Sequence, residues 1–168
     1  TQSRSSAASD VYKRQHVLRL ITDLVNHDYD KKQSQTSIKN ALEFASKISR
    51  RKNVMFVISD FIDDNFWTEM KYLNFNHDVI GIQIYDLFEK EFPDLGLIKV
   101  HNSESNERVW IDTSNEKVRS DFSKDFSKKL NTFAQRCKNI GFDLLQIGTN
   151  EDYIKALTRF FKRRAKRT

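Results

Sequence analysis

The chain is poor in the residues that mark several specialised classes. A single cysteine, Cys137, excludes a disulfide framework and any cysteine-based zinc site. Four glycines and one proline in 168 residues are too few for an all-β architecture with many tight turns. They also leave no glycine-rich phosphate loop of the Rossmann or Walker kind. No apolar run approaches the roughly 18 residues of a membrane span. The opening Thr1-Gln2-Ser3-Arg4-Ser5-Ser6 has no apolar stretch of the signal-peptide kind. These absences point to a soluble, cytoplasmic chain. His16, His27, His77 and His101 lack zinc-ligand spacing, and Ser59 lacks a Gly-x-Ser-x-Gly elbow. No catalytic constellation emerges, so the chain is expected not to be an enzyme.

What is present argues for a packed domain. Apolar residues make up 38% of the chain and include thirteen phenylalanines, too much large apolar mass for disorder. The length suits one domain with a core of its own. The net charge of +6 is localised: the stretch 159–168 holds Arg159, Lys162, Arg163, Arg164, Lys166 and Arg167 and no acid. Without those six the bases and the acids are equal in number, 23 each. A nucleic-acid or membrane-surface role for this basic tail is therefore one reading, and a solvated helix end is the plainer one. No specific nucleic acid is expected as a partner.

Thr1–Gln15 shows no period and resembles translated adapter sequence, so 1–15 is read as a non-native or disordered segment and 16–168 as the domain. Val17, Leu18, Leu20, Ile21, Leu24 and Val25 then mark a helix over 16–27, and Ile38, Ala41, Leu42, Ala45 and Ile48 a second, capped by Thr36 or Ser34. Asn53 to Ser59 is a continuous apolar run, the mark of a central strand buried on both faces, and it ends at Asp60. A short helix follows over 64–75, then a strand over 79–85 ending at Asp86. A hairpin spans 97–100 and 108–111. Val118, Phe122, Phe126, Leu130, Phe133 and Cys137 mark a long helix over 116–138, with Gly141 beyond its end. A last strand covers 142–147, and Asn150 caps a final helix. Strands alternating with helices predict an α/β fold, a mainly parallel sheet with helices on both faces and a β-hairpin insertion.

Carboxylates at the carboxyl ends of such strands are where ligand sites gather. Asp60 is the leading candidate; as the plainer alternative it starts a turn or caps a helix. Asp60 with Asp63, Asp78 and Asp86 also suggests a Mg²⁺-dependent phosphoester hydrolase, whose chemistry needs converging carboxylates.

Three stretches are similar to a known bacterial family, the domain of unknown function fifty-eight: Lys52 to Asp63 with its Ile58-Ser59-Asp60-Phe61, Asn76 to Ile80, and Tyr85 to Leu97 with its Asp86, Glu89, Pro93 and Gly96. Glu104, Asn106 and Ile111-Asp112 fit it too, as does the ending with Tyr153, Leu157, Phe160-Phe161 and Arg163-Arg164. The likeness covers Gln15 to Arg167. It implies a von Willebrand factor A-like, Rossmann-like domain of three layers that acts as an interaction module beside a MoxR-type AAA+ ATPase. It also implies a three-part Mg²⁺ site of the metal-ion-dependent adhesion type. Thr36 matches the second part and Asp60 the third. The first, Asp-x-Ser-x-Ser, is absent from the sequence. The chain is thus expected to be the C-terminal portion of such a domain, with the early strands missing and any membrane anchor confined to the missing N-terminal part.

Mg²⁺ prefers six oxygen ligands, and Thr36 with Asp60 supplies few. The expected outcome of a calorimetric titration is therefore no Mg²⁺ binding at millimolar concentration, in a chain that tends to associate. A tight stoichiometric site lost in Asp60→Ala, in a stable monomer, would contradict both expectations.

Overall fold

The computed structural model describes residues 2–26, 37–101 and 108–167. The chain divides into two units, residues 1–36 and 37–168. The described residues of the first form a helix, α1 (Gln2–Val25). It carries the helix expected from His16 back through the segment without a period. Alanine, glutamine and arginine favour helix without any apolar stripe, which is why periodicity does not mark this part.

The second unit runs α2 (Ile38–Ile48), β1 (Val54–Ser59), α3 (Trp67–Asn76), β2 (Asp78–Tyr85), α4 (Leu87–Lys90), β3 (Leu97–His101), β4 (Arg108–Asp112), α5 (Glu116–Asn139), β5 (Asp143–Gly148) and α6 (Tyr153–Ala165). This is the order the sequence predicts, with α4 added. Four residues are too short for a periodic signal. α4 is held instead by a capping box between Asp86 and Glu89.

β1, β2 and β5 form a parallel sheet in the order β1-β2-β5, and β3 pairs antiparallel with β4 in a separate hairpin. β2 lies in the middle and is buried from Val79 to Gln83. One face of the sheet carries Met55, Val57 and Val79 and meets Ile38 and Leu42 of α2, Met70 and Leu73 of α3 and Cys137 of α5. The other carries Ile80, Ile82, Leu145 and Ile147 and meets Ala156 and Phe160 of α6. This is the mixed α/β sandwich that alternating elements predict.

β1 is less buried than its continuous apolar run predicts. It stands at the sheet's edge among the described residues, and Val54, Phe56 and Ile58 are 58%, 50% and 62% exposed. A continuous apolar run states only that both faces are apolar; whether both are covered depends on elements far away in sequence. Two caps also move. Ser37, with extended backbone, accepts from the Asn40 N–H at 3.3 Å and caps α2, in place of Thr36 or Ser34. Asp152 accepts from the Lys155 N–H at 3.0 Å and caps α6, in place of Asn150. The sequence offers several capping residue types in a row at both sites, so type alone does not choose between them.

Two further contacts set the spacing of the layers. Gly141 takes φ 70° just past α5, as a helix-ending glycine does. The turn returns the chain so that Phe142 lies under β2, where a Cβ on Gly81 would stand 2.6 Å from the Phe142 ring. Phe142 is buried and has no room to retreat. Gly81→Ala is therefore expected to lower stability by about 1–3 kcal/mol, read as a fall in the urea midpoint with the slope unchanged.

Candidate functional site

In a parallel sheet all carboxyl ends lie along one rim. Here the rim gathers Ser59 and Asp60 after β1, Tyr85 and Asp86 after β2, and Gly148 to Glu151 after β5. The Asp60 corner is tightly turned. Its Oδ1 accepts from the Ser59 hydroxyl and the Ile62 N–H, both at 3.3 Å, and the Ser59 hydroxyl accepts from the Phe61 N–H at 3.1 Å. Phe61 has φ 57°, a left-handed conformation unusual for a bulky residue. Its ring holds it there, packed 5.6 Å from Phe66 and 5.1 Å from Phe133 between centroids.

Below the corner runs a part-buried relay of amides. Gln83 Nε2 donates to the Asp60 carbonyl at 3.0 Å, and Gln146 Nε2 donates to Gln83 Oε1 at 2.8 Å and to the Leu130 carbonyl at 3.1 Å. The relay ties β1, β2, β5 and α5 together beneath the rim. Its signal in the sequence is a glutamine inside each of two apolar runs, which the search for carboxylates and hydroxyls passes over.

The remaining candidates separate. Asp86 caps α4 through its Oδ1, which accepts from Phe88 N–H at 2.8 Å, while its Oδ2 accepts from the Thr149 hydroxyl at 3.3 Å. Asp63 accepts from the Asn65 N–H at 2.9 Å in a local turn. Asp78 opens β2 at the opposite end of the sheet from Asp60 and is bound there by Arg164. The expected four-carboxylate set therefore does not converge, and Asp60 and Asp86, on neighbouring strands, are what remains of it. Among the described residues no three His, Cys, Asp or Glu side chains group as metal ligands would. Thr36 lies outside the described residues. Among the described residues, Asp60 and Ser59 offer one carboxylate and one hydroxyl of the six oxygens Mg²⁺ prefers.

Tyr85 bonds Glu151 Oε1 at 3.1 Å across the rim. Burial raises the Tyr85 phenol above its ordinary value, and the bond to Glu151 and its negative charge push the same way. Under this edge, on the α6 side, an apolar groove of about 320 Å³ is lined by Ile58, Ile82, Ile84, Ile147, Tyr153 and Leu157. Cys137 lies on the other face, fully buried, its thiol pushed up to about 12 by burial.

The basic tail is partly spent on structure. Arg164 binds Asp78 and, through Nε at 3.1 Å, Asp143; Arg167 reaches Asp143 at 3.5 Å. They clasp the end of α6 to the amino ends of β2 and β5. Arg159, Lys162, Arg163 and Lys166 belong to the exposed or half-exposed side of the same helix end.

The profile described as "Protein of unknown function DUF58" matches residues 11–132. The chain belongs to the DUF58 family. An uncharacterized protein of Mycobacterium avium is 26% identical over 125 residues, 74% of this chain and 73% of its own length. Uncharacterized proteins of Mycobacterium bovis and Mycobacterium tuberculosis are 25% identical over 123 residues, 71% of this chain. The match spans only 38% of those two longer relatives. No solved structure matches the chain. Among the described residues no helix is long and apolar enough to cross a membrane.

The amide relay makes a testable demand on this DUF58 domain. Gln83→Leu leaves Gln146 and the Asp60 carbonyl short of a partner, and the expected cost is about 1–3 kcal/mol in chemical denaturation. The double variant Gln83→Leu/Gln146→Leu is expected to cost less than the sum of the single ones, since the two amides are partners.

Proposed function

We propose that this chain is a non-enzymatic interaction module of the von Willebrand factor A type that acts in the cytoplasm with a MoxR-type AAA+ ATPase. The observation that carries the reading is the apolar groove at the carboxyl rim of the sheet, walled by Ile58, two residues before the hydrogen-bonded Asp60 corner, and by Gly148, Thr149 and Glu151. An apolar floor with a few fixed polar groups suits recognition of another protein's side chains. The partner's class comes from the family likeness around Ile58-Ser59-Asp60-Phe61.

A Mg²⁺-dependent phosphoester hydrolase is less well supported. Its carboxylates are engaged in turn and cap bonds, and Asp78 stands at the far end of the sheet. Binding of nucleic acid or a membrane surface through the tail is weakened in the same way, because Arg164 and Arg167 are drawn to Asp78 and Asp143.

The test is equilibrium binding of the purified chain to a purified MoxR-type ATPase with ATP, with ADP and without nucleotide. Binding that depends on the nucleotide state is expected, and about tenfold weaker binding for Ile58→Lys, whose parent side chain is 62% exposed in the groove wall. Absence of binding in all three states defeats the reading. Turnover of a phosphodiester with Mg²⁺ or Mn²⁺ that disappears in Asp60→Ala would replace it with the hydrolase.

A further inference from the structure

The hairpin of β3 and β4 stands in the crossover that leads from β2 to β5. Its base is fixed. Thr113 is fully buried, and its hydroxyl accepts from the Leu95 N–H at 2.9 Å and donates to the Gly96 carbonyl at 2.7 Å. Arg119 of α5 binds the Thr113 carbonyl, and the Ser114 carbonyl at 3.0 Å. Beyond the base the strands are open to solvent: Leu97, Val109 and Trp110 are 63%, 51% and 59% exposed. Among the described residues neither strand pairs with a third, and two strands alone share little buried surface. We propose that β4 pairs antiparallel with β4 of a second copy of this chain, centred on Trp110, so that two hairpins become one four-stranded sheet.

The ladder within the hairpin fixes which backbone groups are available. The Thr113 N–H donates to the Gly96 carbonyl at 2.8 Å, and the register runs from Leu97↔Asp112 to His101↔Arg108. Bonded and non-bonded pairs alternate in an antiparallel ladder, so Ile98 with Ile111 and Val100 with Val109 are the bonded pairs. Arg108, Trp110 and Asp112 therefore turn their N–H and C=O to the outer edge of β4, and Leu97, Lys99 and His101 turn theirs to that of β3. The β3 edge is guarded, because pairing it with itself about Lys99 sets two ammonium groups against each other. The β4 edge is self-complementary. With Trp110 opposite Trp110, Arg108 falls opposite Asp112 at both ends, and Val109 falls opposite Ile111 on the other face. Sliding one copy by one residue sets outward backbone groups against inward ones. Sliding by two loses both ion pairs and shortens the ladder.

The side chains that meet are held in place beforehand. Asp112 Oδ1 accepts from the Ser114 N–H at 3.0 Å and from the Ser114 hydroxyl, which orients the carboxylate. Lys99 Nζ lies 5.5 Å from the centre of the Trp110 ring, so the indole is steadied on its own hairpin before the copies meet. Groups ordered in advance lower the cost of association. A strand of five residues makes a small interface all the same, so the dimer is expected to be weak, with a Kd in roughly the micromolar range. The pairing does not depend on the ATPase reading.

Sedimentation of the whole chain across micromolar concentrations tests it. A reversible shift from monomer to dimer is expected. Arg108→Glu and Asp112→Arg should each weaken self-association about tenfold or more, since each sets like charges opposite one another at both ends. Mixed in equal amounts, the two variants should dimerise again, because both ends of the mixed pair then carry opposite charges. Disulfide trapping reads the register. Cα atoms of a bonded antiparallel pair lie about 5.5 Å apart, within reach of a disulfide. Trp110→Cys is therefore expected to give a linked dimer on mild oxidation, and Val109→Cys, whose opposite residue is Ile111, is not. Cys137 is buried and stays out of the reaction. Should Asp112→Arg lose its fold together with the Ser114 bonds, as seen by circular dichroism, Arg108→Glu and the two cysteine variants decide. A chain that stays monomeric, a dimer indifferent to Arg108→Glu, or one linked no better through position 110 than through 109, overturns the proposal.

Discussion

A parallel sheet has two apolar faces, and both must be covered. Among the described residues of the second unit, α2, α3 and α5 pack against one face and α6 against the other. Most of what distinguishes the molecule follows from that imbalance. On the three-helix side the packing is close enough that Gly81 admits no side chain beneath Phe142. On the other side the α6 core is shared with β2 and β5, so the apolar residues of β1 stay exposed and a groove opens beside Ile84. The rim above inherits both characters. Its Asp60 corner is anchored by rings on the crowded side, while its edge looks over the uncovered one.

The two ends of the sheet differ in chemistry as well. At the carboxyl ends, acids and hydroxyls are consumed by turns and caps that shape loops: Ser59 and Asp60, Asp86 with Thr149, Tyr85 with Glu151. At the amino ends, Asp78 and Asp143 stand close together on paired strands and would repel without Arg164 between them. The surplus of positive charge in the last ten residues is in part the answer to that local surplus of negative charge. A net charge of +6 therefore says less about a polyanionic partner than its size suggests.

Elements with a strong local period were legible in the sequence, because period is a local property. The stripe from Val118 to Cys137 becomes α5, and the runs ending at Asp60 and Asp86 become β1 and β2. What was not legible is what depends on distant partners. The exposure of Val54, Phe56 and Ile58 depends on what covers that face of the sheet, and no residue in Val54–Ser59 encodes it. The caps slid by one or two residues because Thr36-Ser37 and Asn150-Glu151-Asp152 offer competing oxygens. α4 rests on one capping box rather than a period. At the site, the place of Asp60 was legible from the end of its apolar run. Asp63, Asp78 and Asp86 do not converge upon it: Asp63 turns locally, Asp86 caps α4, and Asp78, which precedes the apolar run 79–85, opens β2 at the other end of the sheet. The amides beneath the corner were hidden by their own neutrality: Gln83 and Gln146 have no charge to draw notice, yet they carry the bonds that connect three strands to α5.

Cys137 turns the crowded side of the molecule into something that can be timed. A thiol held at about 12 has almost no thiolate at neutral pH, and with no exposed surface it meets a reagent only when α5 lifts from the sheet. The chain has no other sulfhydryl. The rate at which a thiol reagent consumes this one group is therefore a clock for the opening of a single layer.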